Sequence, residues 1–167
     1  MSPENDHGSI QMSLVSFPLS VEYYTLLKMP FRIHTPVTTH RGPSAYLLIH
    51  HITPEGAVAL DADSNKRNLT RDFILEHWGG QVSWVYPYVD NRFFLNQGMQ
   101  SLAVLTLQEI LQDLGYLVTP SGFFDQRTCE EVKNFQDEFG LKTDGVVGSR
   151  TLALLYQMAD KQHELHP

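Results

Sequence analysis

One cysteine, Cys129, stands in a chain of 167 residues. A single thiol excludes an internal disulfide, a four-thiolate zinc site and a dithiol redox pair. It leaves the compartment open, because a thiol-poor chain suits an oxidising space as well as a reducing one. Positive charge is also scarce. Twelve Lys and Arg face nineteen Asp and Glu, for a formal charge of −7. Such a chain repels a phosphate backbone instead of releasing its counterions, which excludes nucleic acid as a partner. Long apolar runs are missing as well. Stretches such as Ala45-Tyr46-Leu47-Leu48-Ile49 reach about five residues, against roughly twenty for a bilayer crossing. The start, Met1 to Gly8, is polar and acidic, without the basic and apolar segments of a secretory signal.

What is present suits a folded chain: 42% of residues are hydrophobic and 19% charged. A chain of this length buries roughly two-thirds of its unfolded surface, enough for one domain or two small ones. Composition shifts near Asn91 to Met99, from Pro, Thr, His and aromatics to Leu, Gln and acidic residues. Residues 1–97 carry seven basic and nine acidic groups, whereas residues 98–167 carry five and ten. The expected organisation is a weakly patterned arm over 1–30, a β-module over 31–97, a helical module over 98–158 and a polar tail over 159–167.

In the arm, Ser20 to Met29 reads as a short helix or an irregular segment. Strands are expected at Phe31 to His34, Ser44 to Ile52 and Gly56 to Asp61, with Thr53-Pro54-Glu55-Gly56 closing a hairpin. Thr70 is placed to cap a short helix from Phe73 to Trp78, stopped by Gly79-Gly80. Gln81 to Tyr86 returns as a strand with Val82, Trp84 and Tyr86 on one face. The second module reads as three helices: one capped by Ser101 and stopped at Gly115, one capped by Asp125 and stopped at Gly140, and one starting at Ser149 after the Asp144-Gly145 turn. Phe124-Asp125-Gln126-Arg127-Thr128 and Val147-Gly148-Ser149-Arg150-Thr151 are alike at the same offsets, so the chain makes one loop-to-helix corner twice. The fold class is α+β: a small, mostly antiparallel β-module followed by a three-helix bundle.

The motifs Leu107-Gln108-x-x-Leu111-x-x-Leu114-Gly115-Tyr116, Gly122-Phe123-Phe124-Asp125-x-x-Thr128, Val132-x-x-Phe135-Gln136-x-x-Phe139-Gly140-Leu141 and Asp144-Gly145-Val146-Val147-Gly148-x-x-Thr151-x-x-x-Leu155 closely resemble the peptidoglycan-binding domain of bacterial cell-wall proteins. Such domains mostly carry Gly where Asp125 stands. The first module resembles, more faintly, the β-half of bacteriocin-processing, papain-like cysteine peptidases, through its hairpin, Leu60-Asp61-Ala62-Asp63, a helix ending in Trp78-Gly79-Gly80, and a strand closing on Tyr86-Pro87. The tandem order resembles the periplasmic C-terminus of general secretion pathway protein A, of type II secretion. That resemblance implies a periplasmic region attached to peptidoglycan and aiding secretin assembly, with the secretin or its assembly partner as a protein partner. It also implies a membrane anchor and an ATPase domain upstream, so the chain is expected to be cut from a larger, membrane-anchored protein.

Enzyme chemistry finds little to stand on. A papain-like peptidase needs a thiolate at a helix N-terminus and an imidazole beside it. Cys129 lies in the wrong module, beside Glu130 and Glu131, and Ser44-Ala45 stands where such peptidases place their His. Asp61 matches the orienting acid alone, so no catalytic residue is assigned and the protein is expected not to be an enzyme. No metal or cofactor is expected: adjacent His50 and His51 point to opposite strand faces unless a bulge intervenes, and His34 and His40 add no ligand spacing. His163 and His166 lie in the polar tail. Trp78, Trp84, Tyr86 and Tyr88 suit packing more than sugar stacking, with Tyr88 the most exposed. The binding candidates are the polar residues of the two corners: Asp125, Arg127 and Thr128, and Asp144, Ser149, Arg150 and Thr151. Helix N-termini there can meet a stem-peptide carboxylate, with Arg adding a bidentate contact. The competing reading is that Asp125, Thr128, Ser149 and Thr151 only cap helices. Two alternatives stay open for the whole chain: a wall hydrolase targeted by its binding domain, and an interaction or homo-oligomerisation module.

Overall fold

The structure is a computed structural model and describes residues 13–28, 30–39, 42–86 and 94–159. Six strands form one sheet: β1 (Ser13–Pro18), β2 (Phe31–Thr39), β3 (Gly42–Thr53), β4 (Gly56–Leu60), β5 (Lys66–Thr70) and β6 (Gln81–Tyr86), in the spatial order β1-β6-β2-β3-β4-β5. Every pairing is antiparallel. The expected hairpin is present, with Thr53 opposite Gly56. Two strands were not legible in the sequence, β1 and β5, and both are edges. An edge strand pairs on one side only and can be short and polar; β5, Lys-Arg-Asn-Leu-Thr, buries only Leu69 of its five residues.

Alternation sends Phe31, Ile33, Leu47, Ile49, Ala57, Ala59, Val82 and Trp84 to one face, all buried. This face is covered by a short 3-10 helix, Val21–Leu26, and by α1 (Arg71–His77), which lies against β4 and β5. The 3-10 turn occupies the stretch expected to be a helix or an irregular arm. Thr70 caps α1 as expected, its hydroxyl accepting from the Phe73 N–H at 3.2 Å.

The second unit holds α2 (Leu102–Asp113), α3 (Gln126–Glu138) and α4 (Ser149–Met158). Ser101 caps α2, accepting from the Val104 N–H at 3.2 Å, and Asp125 caps α3, accepting from the Thr128 N–H at 2.7 Å. Helix α4 starts at Ser149 as expected; Gly148 holds the cap position, so the competing reading of Ser149 as a cap does not hold, and no side chain caps α4. The two units share a continuous buried core. At their junction the Tyr23 ring meets Phe139 edge-on at 4.8 Å, and the Lys28 N–H donates to the Gln157 carbonyl at 2.9 Å.

Candidate functional site

Each repeated corner is organised by a buried glutamine that the sequence reading passed over as part of a motif. At the first corner Gln108, on α2, accepts from the N–H groups of Ser121 and Gly122, both at 2.9 Å. Its amide nitrogen donates to the Phe123 carbonyl and to Thr128 Oγ1, both at 2.9 Å. At the second corner Gln136, on α3, accepts from the Gly145 N–H at 2.8 Å and donates to the Val146 carbonyl at 2.9 Å and Thr151 Oγ1 at 3.2 Å. A buried primary amide has two donors and an acceptor oxygen, enough to serve a loop and the next helix at once. The repeated signal was visible as Leu107-Gln108 and Phe135-Gln136.

These bonds settle two of the candidates' surroundings. Thr128 and Thr151 are buried and spend their hydroxyls on the glutamines, and Thr128 also donates to Asp125 Oδ1 at 2.7 Å. They sit at the third helical position rather than at the cap.

The other residues divide by corner. Asp125 is held below the usual carboxylate range, first by the Thr128 N–H and then by the Thr128 hydroxyl. Arg127 is exposed but engaged: its Nε donates to the Leu117 carbonyl at 2.9 Å and its guanidinium pairs with the buried Glu131. The first corner is therefore closed upon itself. At the second corner Asp144 accepts from the Val146 N–H at 2.9 Å and pairs with Lys142 at 3.1 Å. The Val146 bond is the main reason that its carboxyl lies below the ordinary range. Arg150, twenty-three positions after Arg127, is exposed and has no hydrogen-bond or ion-pair partner among the described residues.

Asp144, Ser149, Arg150 and Thr151 are brought together around one groove of about 340 Å³, with Lys142 beside them. Asp125, Arg127 and Thr128 do not line it. Pro18, at the end of β1, forms part of its wall, a contribution from the sheet unit with no sequence signal. The first-turn N–H groups of α4 have no intrahelical acceptor and no capping side chain, so they present partial positive charge. With Lys142 and Arg150 nearby, this corner can receive a carboxylate or another anionic group.

Elsewhere the candidate chemistry is structural. Asp61 is buried and accepts from the N–H groups of Asp63 and Asn65 and from Arg67 Nε at 2.9 Å. Burial pushes its carboxyl up, but these bonds outweigh it and hold the group below its ordinary range. Cys129 lies inside α3, packed so closely on Gly145 that a Cβ there would come within 2.7 Å of its sulfur. Register shifts between Ile49 and His51, so the bulge that the strand-face argument required is present. His50 and His51 consequently line one recess, together with Lys28. Among the described residues no group of three or more His, Cys, Asp and Glu could hold a metal ion. Trp84 is buried and Trp78 donates to the Leu19 carbonyl at 2.8 Å, as packing aromatics do. Tyr88, His40, His163 and His166 lie outside the described residues. No helix among the described residues is long and apolar enough to cross a membrane.

Comparison with known proteins converges on the same unit. Residues 100–155 match the family described as "Putative peptidoglycan binding domain". A curated relative, the N-acetylmuramoyl-L-alanine amidase CwlM of Mycobacterium tuberculosis, is 41% identical over 59 residues, which cover 35% of this chain and 14% of that protein. Among solved structures, a periplasmic domain of the EpsAB fusion protein of the Vibrio vulnificus type II secretion system matches with a TM-score of 0.52 and 24% identity, covering 92% of this chain and 67% of that one. The peptidase domain of Streptococcus ComA matches at a TM-score of 0.36 and 15% identity, over 46% of this chain and 58% of that one, too distant to carry an argument. Residues 100–155 thus match the peptidoglycan-binding domain family, and the chain as a whole has the α+β fold of the EpsAB periplasmic domain.

Proposed function

We propose that this chain is a non-catalytic, periplasmic wall-binding region of an envelope assembly protein, and that its second corner holds an anionic group of the peptidoglycan stem peptide. The observation that carries the reading is the groove of about 340 Å³ at the uncapped start of α4, inside the matched family segment and beside Arg150, which has no partner among the described residues. A stem-peptide carboxylate would take the place of the missing cap. Arg150 and Lys142 supply charge, and Asp144 shapes the loop. The first corner, with Asp125 and Arg127 exposed but engaged by Thr128, Glu131 and the Leu117 carbonyl, is architectural.

The fold shared with a type II secretion periplasmic domain supports the finer assignment: a degenerate papain-like sheet unit beside the wall-binding unit, together helping to place a secretin. The sheet unit is non-catalytic because the one thiol of the sequence is packed in α3 and Asp61 is engaged by Arg67.

Sedimentation with purified sacculi tests the central claim. The protein should pellet at low and moderate salt, and Arg150→Ala should weaken pelleting with an unchanged circular dichroism spectrum. A protein that stays in the supernatant would remove wall binding, and clearing in a sacculus zymogram would remove the non-catalytic assignment.

A further inference from the structure

Strand β3 carries two adjacent histidines, and its register with β4 breaks beside them. Ile49 lies opposite Ala59 and His51 opposite Val58, so His50 is an extra residue on its strand. Bulges of this kind re-aim side chains and are over-represented next to functional sites. Here His50 and His51, both exposed, line a recess of about 300 Å³ together with Lys28 and Thr25. Phe31 and Ile49, paired across β2 and β3 and almost wholly buried, line its apolar side. No Asp or Glu is among the residues that line it, although the chain carries nineteen.

The polar lining is one-sided in its chemistry. Lys28 brings an ammonium, each imidazole brings at least one N–H donor, and Thr25 brings a hydroxyl. Such a set suits an anion, whose charge-assisted hydrogen bonds are roughly twice as strong as neutral ones. The donors are also held in place. The Lys28 N–H donates to the Gln157 carbonyl at 2.9 Å, which anchors that end to the helical unit, and the histidines sit on a strand paired on both sides. The apolar side asks for an aliphatic group next to the charge, which inorganic phosphate lacks.

We propose that this recess binds the chain-terminal carboxylate of a protein partner whose last side chain is a large aliphatic one. The carboxylate meets Lys28, His50 and His51, and the side chain meets Phe31 and Ile49. Capture of a peptide terminus by clustered donors is a recurrent mode of recognition. The recess lies at the small end of the range for ligand sites, which suits one terminal residue better than a long acyl chain. A stem peptide ending in D-alanine is a poorer occupant, because a methyl group leaves the apolar side unfilled. A zinc ion is poorer still: two imidazoles fall short of its ligand set, and the Lys28 ammonium repels it. The recess shares no lining residue with the groove at α4, so this inference stands apart from the wall-binding reading.

NMR titration of the full chain with an acetylated tripeptide ending in leucine tests the proposal. The free acid should bind saturably and move the resonances of Lys28, His50 and His51. Its C-terminal amide should bind at least about tenfold more weakly, since the charge-assisted bonds are lost. The double variant His50→Gln, His51→Gln and the single variant Lys28→Gln should each weaken binding of the acid with unchanged circular dichroism. All three side chains are exposed, so the variants are expected to fold. No saturable shift, an amide that binds as the acid does, or variants that bind as wild type does would each overturn the proposal. So would acetyl-D-alanyl-D-alanine binding as tightly as the leucine peptide, which would assign the recess to the wall, or zinc chloride displacing the peptide, which would make it a metal site. Sacculus pelleting of the double histidine variant should match wild type; a loss would join the recess to the wall site and overturn its separate role.

Discussion

Gln136 Nε2 donates to Thr151 Oγ1 across 3.2 Å and so ties α3 to the first turn of α4, as Gln108 ties α2 to α3 through Thr128 at 2.9 Å. Each corner turns on one buried amide. The groove wall at Asp144 to Val146 is held in shape by the same side chain, which links the fold of this unit directly to its proposed site.

Gln136→Leu keeps the volume and removes the bonds to Gly145, Val146 and Thr151. Orphaning these buried groups should cost about 3 kcal/mol, read as a lower urea midpoint with an unchanged slope. Sacculus pelleting should weaken as well, since the loop that shapes the groove loses its anchor.

Gly148→Asp separates stability from binding. Gly148 has φ −91° and ψ −173°, an extended cap conformation, and a Cβ there meets nothing within 4 Å. The new carboxylate should cap α4 as Asp125 caps α3 and add about 1 kcal/mol. It should also occupy the N–H groups proposed to hold the wall carboxylate, so a more stable protein that pellets less is expected. Unchanged pelleting would locate the site elsewhere.

Gly145→Ala meets two obstacles, a backbone φ of +74° and a Cys129 sulfur 2.7 Å from the new Cβ. A loss of about 2–4 kcal/mol is expected. Adding Cys129→Ala relieves the contact and leaves the backbone strain, so a double-mutant cycle should show favourable coupling of about 1 kcal/mol or more.

Acid should destabilise the protein through Asp125 and Asp144. Both carboxyls are held below their ordinary value by loop or cap hydrogen bonds. A depressed folded value means that the unfolded chain takes up protons first as pH falls. Their stabilisation is complete well above the ordinary Asp value of about 3.9, and is lost as pH drops through that value toward the folded one. Urea unfolding between neutral pH and pH 3 should show a shallower slope of stability with pH in Asp125→Asn and Asp144→Asn than in wild type.

The helices of the second unit were legible because local rules agree there. Ser101 and Asp125 are caps with apolar residues at helical spacing behind them, and the left-handed turn at Gly140, φ +64°, is one that glycine adopts without cost. The central strands were legible from alternation, and Thr70 from its place before an apolar run. Strands β1 and β5 were not, because an edge is defined by the neighbour it finds rather than by its own pattern.

The candidate site was legible by residue type but not by role. The sequence placed Arg127 and Arg150 at equivalent offsets and gave no reason to separate them. Only the fold brings Glu131 and the Leu117 carbonyl onto Arg127 and leaves Arg150 beside a groove. The bulge at His50 is likewise a register event between β3 and β4, invisible in β3 alone.

By itself the sequence determined the α+β class, the duplicated corner, the scarcity of thiol and positive charge, and the resemblance to a wall-binding domain, because these follow from composition and short-range spacing. Tertiary structure decided which corner stays open and that β1 crosses to the far edge to place Pro18 at the groove. Those outcomes depend on contacts between residues distant in the chain, such as Pro18 with Gln81 and Leu95 with Val147, and no local pattern encodes them.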